Sequence, residues 1–443
     1  MCAGQCALRR IALGALLVGV LAGAADAAEG TPPLVRVGLI SHRTSAVIGS
    51  TAPFIVSAGG NEWQYQATTL TVCLPSAIPE GTKAEPRPGD ATLCLIGTDG
   101  VGRWCAGPLR VRAAVDSGGC LQAGEDIKRL QRYEGELEVT SDAARTLSLV
   151  NVVDLEAYAR GVMGGEMDPD YPAEALKAQA VATRSEALAK LGRHRADGFD
   201  LCAEAHCQAY RGVEDQTAAG NAAVAVTRGE ILTYGGRPAD AVYHAACGGH
   251  TENASDVWRC DDVPYLRGVP DREDGNGPGA NGYRAEDAKL RAYLTGAPPA
   301  NCRDPRYLPL TRFRWVRALT RKQIEASLAD IVSIGELVDL QPLKRGMSGR
   351  IASLEVRGTK STTTIGPEAV IRRALGGLPS SAFVIDRYCD DAGRPVVFVL
   401  WGAGWGHGVG MCQAGAAGLA QAGHSYREIL AKYYHGTTIE TRY

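Results

Sequence analysis

GVMGGEMDPDYPAEALKAQAVATRSEALAK, residues 161–190, decides how the chain is read, because it sets one acidic side chain, Glu166, where a backbone turn meets a helix. Pro172 suits the first turn of a helix, where its missing N–H is harmless, and Asp170 ahead of it reads as the cap. The helix is expected to run to about Lys190. Ala175, Leu176, Ala178, Ala180, Val181, Ala182, Ala187 and Leu188 form its apolar set, and side chains that small let a neighbouring backbone come close. Lys177, Gln179 and Arg184 are odd company for such a buried helix. Upstream, DLEAYARGVM reads as a shorter helix starting at Asp154 and ended by Gly164-Gly165, where glycine tolerates backbone angles that other residues avoid. Glu166 is thereby placed in a helix-turn-helix elbow.

Working outward, the N-terminus has Arg9 and Arg10, then the apolar run IALGALLVGVLAGA, then Ala25-Asp26-Ala27. This is the pattern of a secretory signal peptide over residues 1–27, so the mature protein is expected to be exported, to the periplasm, cell envelope or medium. The run is short for a membrane span and no later stretch is apolar enough to cross a bilayer, so no span is expected after cleavage. The rest is long enough for two or three domains with real cores. A formal charge of −2 provides no basic field, which argues against nucleic acid as a partner. Of the 13 cysteines, 11 lie beyond Ala27, and in an exported chain they are candidates for disulfides or a metal site.

The fold class expected is α+β: a β-rich N-terminal module packed on a mixed α/β core with a Gly-rich C-terminal strand-helix segment. The module occupies residues 28–150, where VRVGLI, APFIVSA, QYQATTLTVCL, ATLCLIG, GPLRVRAAV, GELEVTS and TLSLVNVV alternate apolar and polar residues between turn-forming breaks. Its Cys73, Cys94, Cys105 and Cys120 are an even group suited to two disulfide staples. The core occupies residues 151–443.

Within the core, GRHRADGFDLCAEAHCQAYRG brings His194, Cys202, His206 and Cys207 into fourteen residues. Thiolate and imidazole suit zinc, and four protein ligands make a closed structural site; the other reading is a Cys202–Cys207 disulfide with solvated histidines. His244, Cys247 and His250 follow in a Gly-rich turn read as a polar groove rim, with a second metal cluster as the other reading, and Cys247, Cys260 and Cys302 allow one disulfide among them. DREDGNGPGANGY, residues 271–283, has the composition of a surface loop. TRKQIEASLADI is a helix capped by Thr320, and GPEAVIRRALGG is one opened by Pro367. Near the C-terminus a strand ends in Gly402, Gly404, Gly406, Gly408 and Gly410 around Trp405 and His407, a pattern that lets a ligand or another backbone approach.

Taken in order, DLEAYARGVMGGEM with EALKAQAVATRSEAL, FDLCAEAHCQAYRG, YHAACGGHTEN and GWGHGVGMCQAGAAGLAQAGHSYREILAKYYHGTTI resemble the SpoIID/LytB domain of the stage II sporulation protein D family. The resemblance covers the chain from about Val35 onward. It implies lytic transglycosylase cleavage of peptidoglycan glycan strands stripped of stem peptides, with Glu166 as the catalytic acid and base. It also implies zinc on His194, Cys202, His206 and Cys207, and no cofactor for the chemistry itself. LytB members are described as amidase enhancers, so a glycan-binding activator working with a cell-wall amidase is a second implication; apart from the resemblance, a zinc-dependent cell-wall hydrolase is a rival reading that would need an open metal position. Lys177, Gln179, Arg184, Gln208, Tyr210, His250, His407 and Gln413 are the candidates to line the sugar groove. The chain departs from the family at Glu186 and Ala414, where typical members carry tyrosine, at Cys412, where they carry serine, and at Asp168, where they often carry proline.

A glycosidase ordinarily needs two carboxyls. A lytic transglycosylase manages with one, because the muramic acid's own C6 hydroxyl is the nucleophile and is already held beside the anomeric carbon. A lone glutamate then serves first as acid and later as base, which requires surroundings that raise its pKa.

Overall fold

The computed structural model describes residues 30–114, 119–142, 145–272 and 288–443. The signal segment expected at residues 1–27 and most of the loop at 271–283 lie outside the described residues. The fold is α+β.

The N-terminal part is built from two seven-stranded sheets. All seven alternating segments read from the sequence form strands, and their inward residues, among them Val35, Val37, Phe54, Val56, Leu109, Val111, Leu137 and Leu149, meet Ile48, Leu70, Val72, Leu93 and Leu95 of the second sheet in one core. Ser45–Ser50, Val101–Cys105 and Leu121–Gly124 are further strands. The first follows its predecessor directly, with His42 turning the chain at φ 57°.

The strand Leu34–Arg43 (β1) carries the link to the rest. It lies antiparallel to Leu147–Asp154 on one side and parallel to Leu201–Cys202 on the other, with Val37 opposite Leu201. Residue 150 falls inside Leu147–Asp154, which runs without a linker into the helix Leu155–Glu166 (α1). Asp154 caps α1, its carboxylate accepting from the Ala157 N–H at 2.8 Å.

Gly164 and Gly165 do not end α1 but lie within it, contrary to the reading of them as a terminator. Their role is close approach: a Cβ on Gly164 would sit 1.6 Å from the Asp215 carbonyl oxygen, and one on Gly165 2.8 Å from that of Ala209. The segment 209–215 therefore lies directly on the helix.

Ala173–Ala189 (α2) is the central helix, buried against Ala218–Val226, Glu230–Tyr234, Gln413–Gln421 and Tyr426–Tyr433. Asp170 does not cap it. Pro172 occupies the N-cap with no side-chain bond, and Asp170 instead donates its N–H to Asp168 Oδ1 in the preceding turn. The C-terminal glycines after Pro395–Ala403 admit another backbone: a Cβ on Gly410, at φ 68°, would meet the Val242 carbonyl oxygen at 2.1 Å.

Residues 314–403 carry a third core around Ile324, Leu340, Leu354, Ile371, Phe383 and Phe398. Thr320 forms the capping box with Gln323, while Pro367 stands at the N-cap of Glu368–Ala374. The unit is fixed to the central region by the buried Glu252, which accepts from the N–H groups of Met347 (2.8 Å) and Ser348 (3.0 Å) and from Ser348 Oγ (2.6 Å). The described cysteines are all free thiols, those considered for disulfides included; Cys73 and Cys94 face each other across a strand pair.

Candidate active site

Glu166 is the last residue of α1, and its half-buried side chain turns back onto the segment that its neighbouring glycines admit. Oε1 accepts the Ala209 N–H at 2.6 Å. Oε2 has no hydrogen-bond partner among the described residues and is not sealed from solvent. Burial pushes the carboxyl above its ordinary pKa, opposed by the Ala209 N–H and the positive charge of Arg211. Neither neighbouring base neutralises it: Arg160 pairs with Glu134 at 2.6 Å and Lys177 with Glu174 at 2.6 Å. The main chain is fixed as well, the Glu166 carbonyl accepting from Gln413 Nε2 at 2.8 Å. Asp168, two residues on, is exposed in the turn.

Several residues expected to touch sugar serve the interior instead. Arg184 is 0% exposed and forms a two-pronged pair with Glu156 at 2.7 and 2.9 Å, further donating to Val224 O and Thr227 Oγ1. Tyr210 is 2% exposed, stacks on Tyr158 and Tyr133, and donates to Asn151 Oδ1 at 2.6 Å. His250 is buried with Nδ1 on the Thr251 carbonyl at 2.6 Å. Lys177, besides its Glu174 pair, lies 5.8 Å from the Tyr426 ring centre. Arg184, Tyr210 and His250 are scaffold, because their polar heads face internal partners, whereas Lys177 is half-buried in a pair that solvent reaches.

Gln179, Gln208 and Gln413 are also buried, and of the three only Gln413 bonds Glu166, at its main-chain carbonyl. Gln413 bridges the Glu166 carbonyl and Gln179 Oε1 (3.3 Å). Gln208 accepts from Tyr158 OH at 3.0 Å and donates to Tyr243 OH (3.0 Å) and Glu186 Oε2 (3.3 Å). Glu186 was noted in the sequence only as a departure from the family, and Tyr243 was not singled out. Both feel the charge of Glu166, and burial lifts the Glu186 carboxyl to about 7 even though Lys190 pairs with it. Positions 186 and 414, where the family's tyrosines are missing, are buried, so neither presents a face for sugar stacking.

His407 is half-buried, its Nε2 donating to Tyr243 O at 2.8 Å while Nδ1 accepts from Val409 N at 3.1 Å. Burial holds it well below the ordinary histidine range, with His244 adding to the effect, so it is neutral. Trp258 lies 5.1 Å from its ring centre and is 41% exposed, and Trp405 is half-buried beneath the Arg312 guanidinium. Trp258 is an aromatic face that the sequence reading passed over for want of any motif around it.

His194, Cys202, His206 and Cys207 do come together, their ligand atoms all lying within 4.8 Å of one another. His206 Nδ1 stands 3.2 Å from His194 Nε2, 3.7 Å from Cys202 Sγ and 3.9 Å from Cys207 Sγ. The other nitrogen of His194 faces the Asp197 carboxylate at 2.9 Å, the outer-shell arrangement that orients a ligating imidazole. The donor set and its spacing fit zinc.

A carboxyl at a glycine-lined helix end, a Cys/His knot closing onto β1 and a Gln-bearing small-residue helix define a SpoIID-type core, and the chain belongs to the stage II sporulation protein D family. Residues 143–234 match the family model described as Stage II sporulation protein, and residues 252–410 match a domain of unknown function. An uncharacterized protein of Brachyspira hyodysenteriae is 32% identical over 301 residues, 66% of this chain and 68% of its own length. Stage II sporulation protein D of Bacillus subtilis is 27% identical over 305 residues, covering 66% of this chain and 75% of that protein. The Amidase enhancer of Bacillus subtilis is 29% identical over 293 residues; the match spans 63% of this chain and 40% of the enhancer.

Proposed function

We propose that this protein acts on the bacterial cell wall as an exported lytic transglycosylase, cutting peptide-stripped glycan strands between MurNAc and GlcNAc and leaving anhydro-muramic ends. The observation that carries this reading is the state of Glu166: a carboxyl raised by burial, unpaired with any base among the described residues, with Oε2 open to solvent. Such a group is protonated over a wider pH range than an ordinary glutamate and can give its proton to the glycosidic oxygen. The bond from the anomeric carbon to that oxygen breaks, the muramic acid's C6 hydroxyl attacks the same carbon, and the carboxylate now left at Glu166 takes the hydroxyl proton. Gln413 and Ala209 hold the carboxyl in place, from the main chain and at Oε1 respectively. His194, Cys202, His206 and Cys207 would hold zinc as a structural ion tying this region to β1. Four protein ligands leave no open position for an activated water, which argues against the zinc hydrolase.

The second reading is an activator that grips glycan and stimulates an amidase in the cell envelope. The likeness to the Amidase enhancer favours it, as does the burial of Gln208, Tyr210 and His250, which takes them out of reach of a glycan. Peptide-free glycan strands incubated with wild type, Glu166→Gln and Asp168→Asn separate the two. Anhydro-muramic ends by mass spectrometry are expected from wild type and Asp168→Asn, with a loss of about 10²–10⁴-fold in Glu166→Gln. Reducing ends would mean hydrolysis, and no cleavage by wild type alongside stimulation of an added amidase would establish the activator.

A further inference from the structure

Away from the His194 knot, a second group of soft donors converges in the central core. Cys247 comes from the Gly-rich turn after Tyr243–His244, Cys302 from the turn Asn301–Arg303, Cys412 from the end of Met411–Cys412, and Asp271 from the chain leading into the residues 273–287. All four are buried, and their ligand atoms lie within 4.8 Å of one another. We propose that Cys247, Cys302, Cys412 and Asp271 form a second, closed zinc site, independent of the first and of whether the protein cleaves glycan.

The spacing supports a metal over a disulfide. Cys247 Sγ and Cys302 Sγ are 3.6 Å apart. A disulfide brings its sulfurs to about 2.05 Å. Two thiolates on one tetrahedral zinc, each at about 2.3 Å, stand roughly 3.8 Å apart. An iron–sulfur cluster would also need room for inorganic sulfide between ligands, which donors this close do not leave.

The surroundings are those of bound thiolates. Gly249 N–H donates to Cys247 Sγ at 3.3 Å, and Cys412 Sγ receives the N–H groups of Cys247 at 3.2 Å and Gly415 at 3.3 Å. Asp271 is oriented by the Cys302 N–H and the Tyr433 hydroxyl, each at 2.8 Å. Three thiolates and a carboxylate around one Zn²⁺ leave a net charge of about −2. Two largely buried guanidiniums stand close to offset it: Arg350 donates to the Cys247 carbonyl at 3.3 Å and Arg314 to the Gly248 carbonyl at 2.9 Å. On binding, the three thiols release their protons to solvent and the ion takes their place. Cys412 immediately precedes Gln413, so the ion would fix the start of the helix that anchors Glu166.

The test uses the full mature chain purified under reducing, anaerobic conditions and supplied with zinc or cobalt(II). In Cys202→Ser/Cys207→Ser, which disables the first site, about one equivalent of zinc should remain, and cobalt should give thiolate charge-transfer absorption. Adding Cys302→Ser should remove both signals. If that variant does not fold by circular dichroism, Asp271→Asn in the same background should weaken zinc affinity at least tenfold by competition with a chromogenic chelator. The proposal is overturned if Cys202→Ser/Cys207→Ser binds no metal, if affinity is unchanged in Asp271→Asn, or if Cys247 and Cys302 are recovered linked by peptide mapping of protein alkylated as it is exported, before any reductant is added.

Discussion

Arg211 and Glu166 form an unequal couple: the carboxyl is half-buried, whereas the guanidinium is exposed and acts on it through space alone. Its positive charge lowers the Glu166 pKa against the larger upward push of burial. Removing that charge in Arg211→Gln should therefore raise the pKa further. Because the first step needs the protonated acid, the alkaline limb of the kcat/KM profile should move to higher pH, which a pH series on peptide-free glycan would read. An unchanged limb would mean that the limb reports another group. Glu166 was legible in the sequence because a glutamate between a glycine pair and a proline-initiated helix is held at a fixed bend of the backbone instead of on a solvated helix face. Arg184 and Tyr210 were misassigned for a physical reason as well: a polar head in a motif looks available until its partner is known, and Glu156 and Asn151 are 28 and 59 residues away in sequence.

Helices α1 and α2 are joined by that same Arg184–Glu156 pair, deep inside the molecule. Burial pushes Glu156 upward, but hydrogen bonds from Arg184, Tyr443 OH and Gly229 N hold it below the ordinary glutamate range. Arg184→Met alone strands a buried carboxylate and should cost about 3–5 kcal/mol in denaturant unfolding, whereas Arg184→Met with Glu156→Leu should recover most of that loss. Gly164→Ala tests the other contact of α1. The added methyl has nowhere to go with a carbonyl oxygen 1.6 Å away, so the helix or segment 209–215 must shift, with a loss of about 1–3 kcal/mol or more. Glycine after a helical run reads as a stop, yet here the run continues through it. The second strand of backbone that requires it comes from about 50 residues downstream and leaves no trace in local periodicity. The His194 knot was legible as a cluster because its four donors are near in sequence; the full Cys247 group was not, since it spans 165 residues from Cys247 to Cys412.

Across the whole molecule, pH should act through Glu186. Its folded pKa of about 7 lies above that of a free glutamate, so its contribution to stability is fully present below the unfolded value and is lost as pH rises through about 7. Glu186→Gln should flatten the fall of unfolding free energy between about pH 5 and 8, a range chosen to bracket that titration; an undiminished slope would assign it elsewhere. The position of β1 also bears on the order of assembly. A strand near residue 35 takes one partner near 150 and another near 200, so a chain emerging N-terminus first carries an unsatisfied edge until the Cys/His segment follows. Closure of such distant contacts is slow. The first sheet is thus completed by the region that bears the candidate site, so its outer edge at β1 closes only after residues 201–202 have been made.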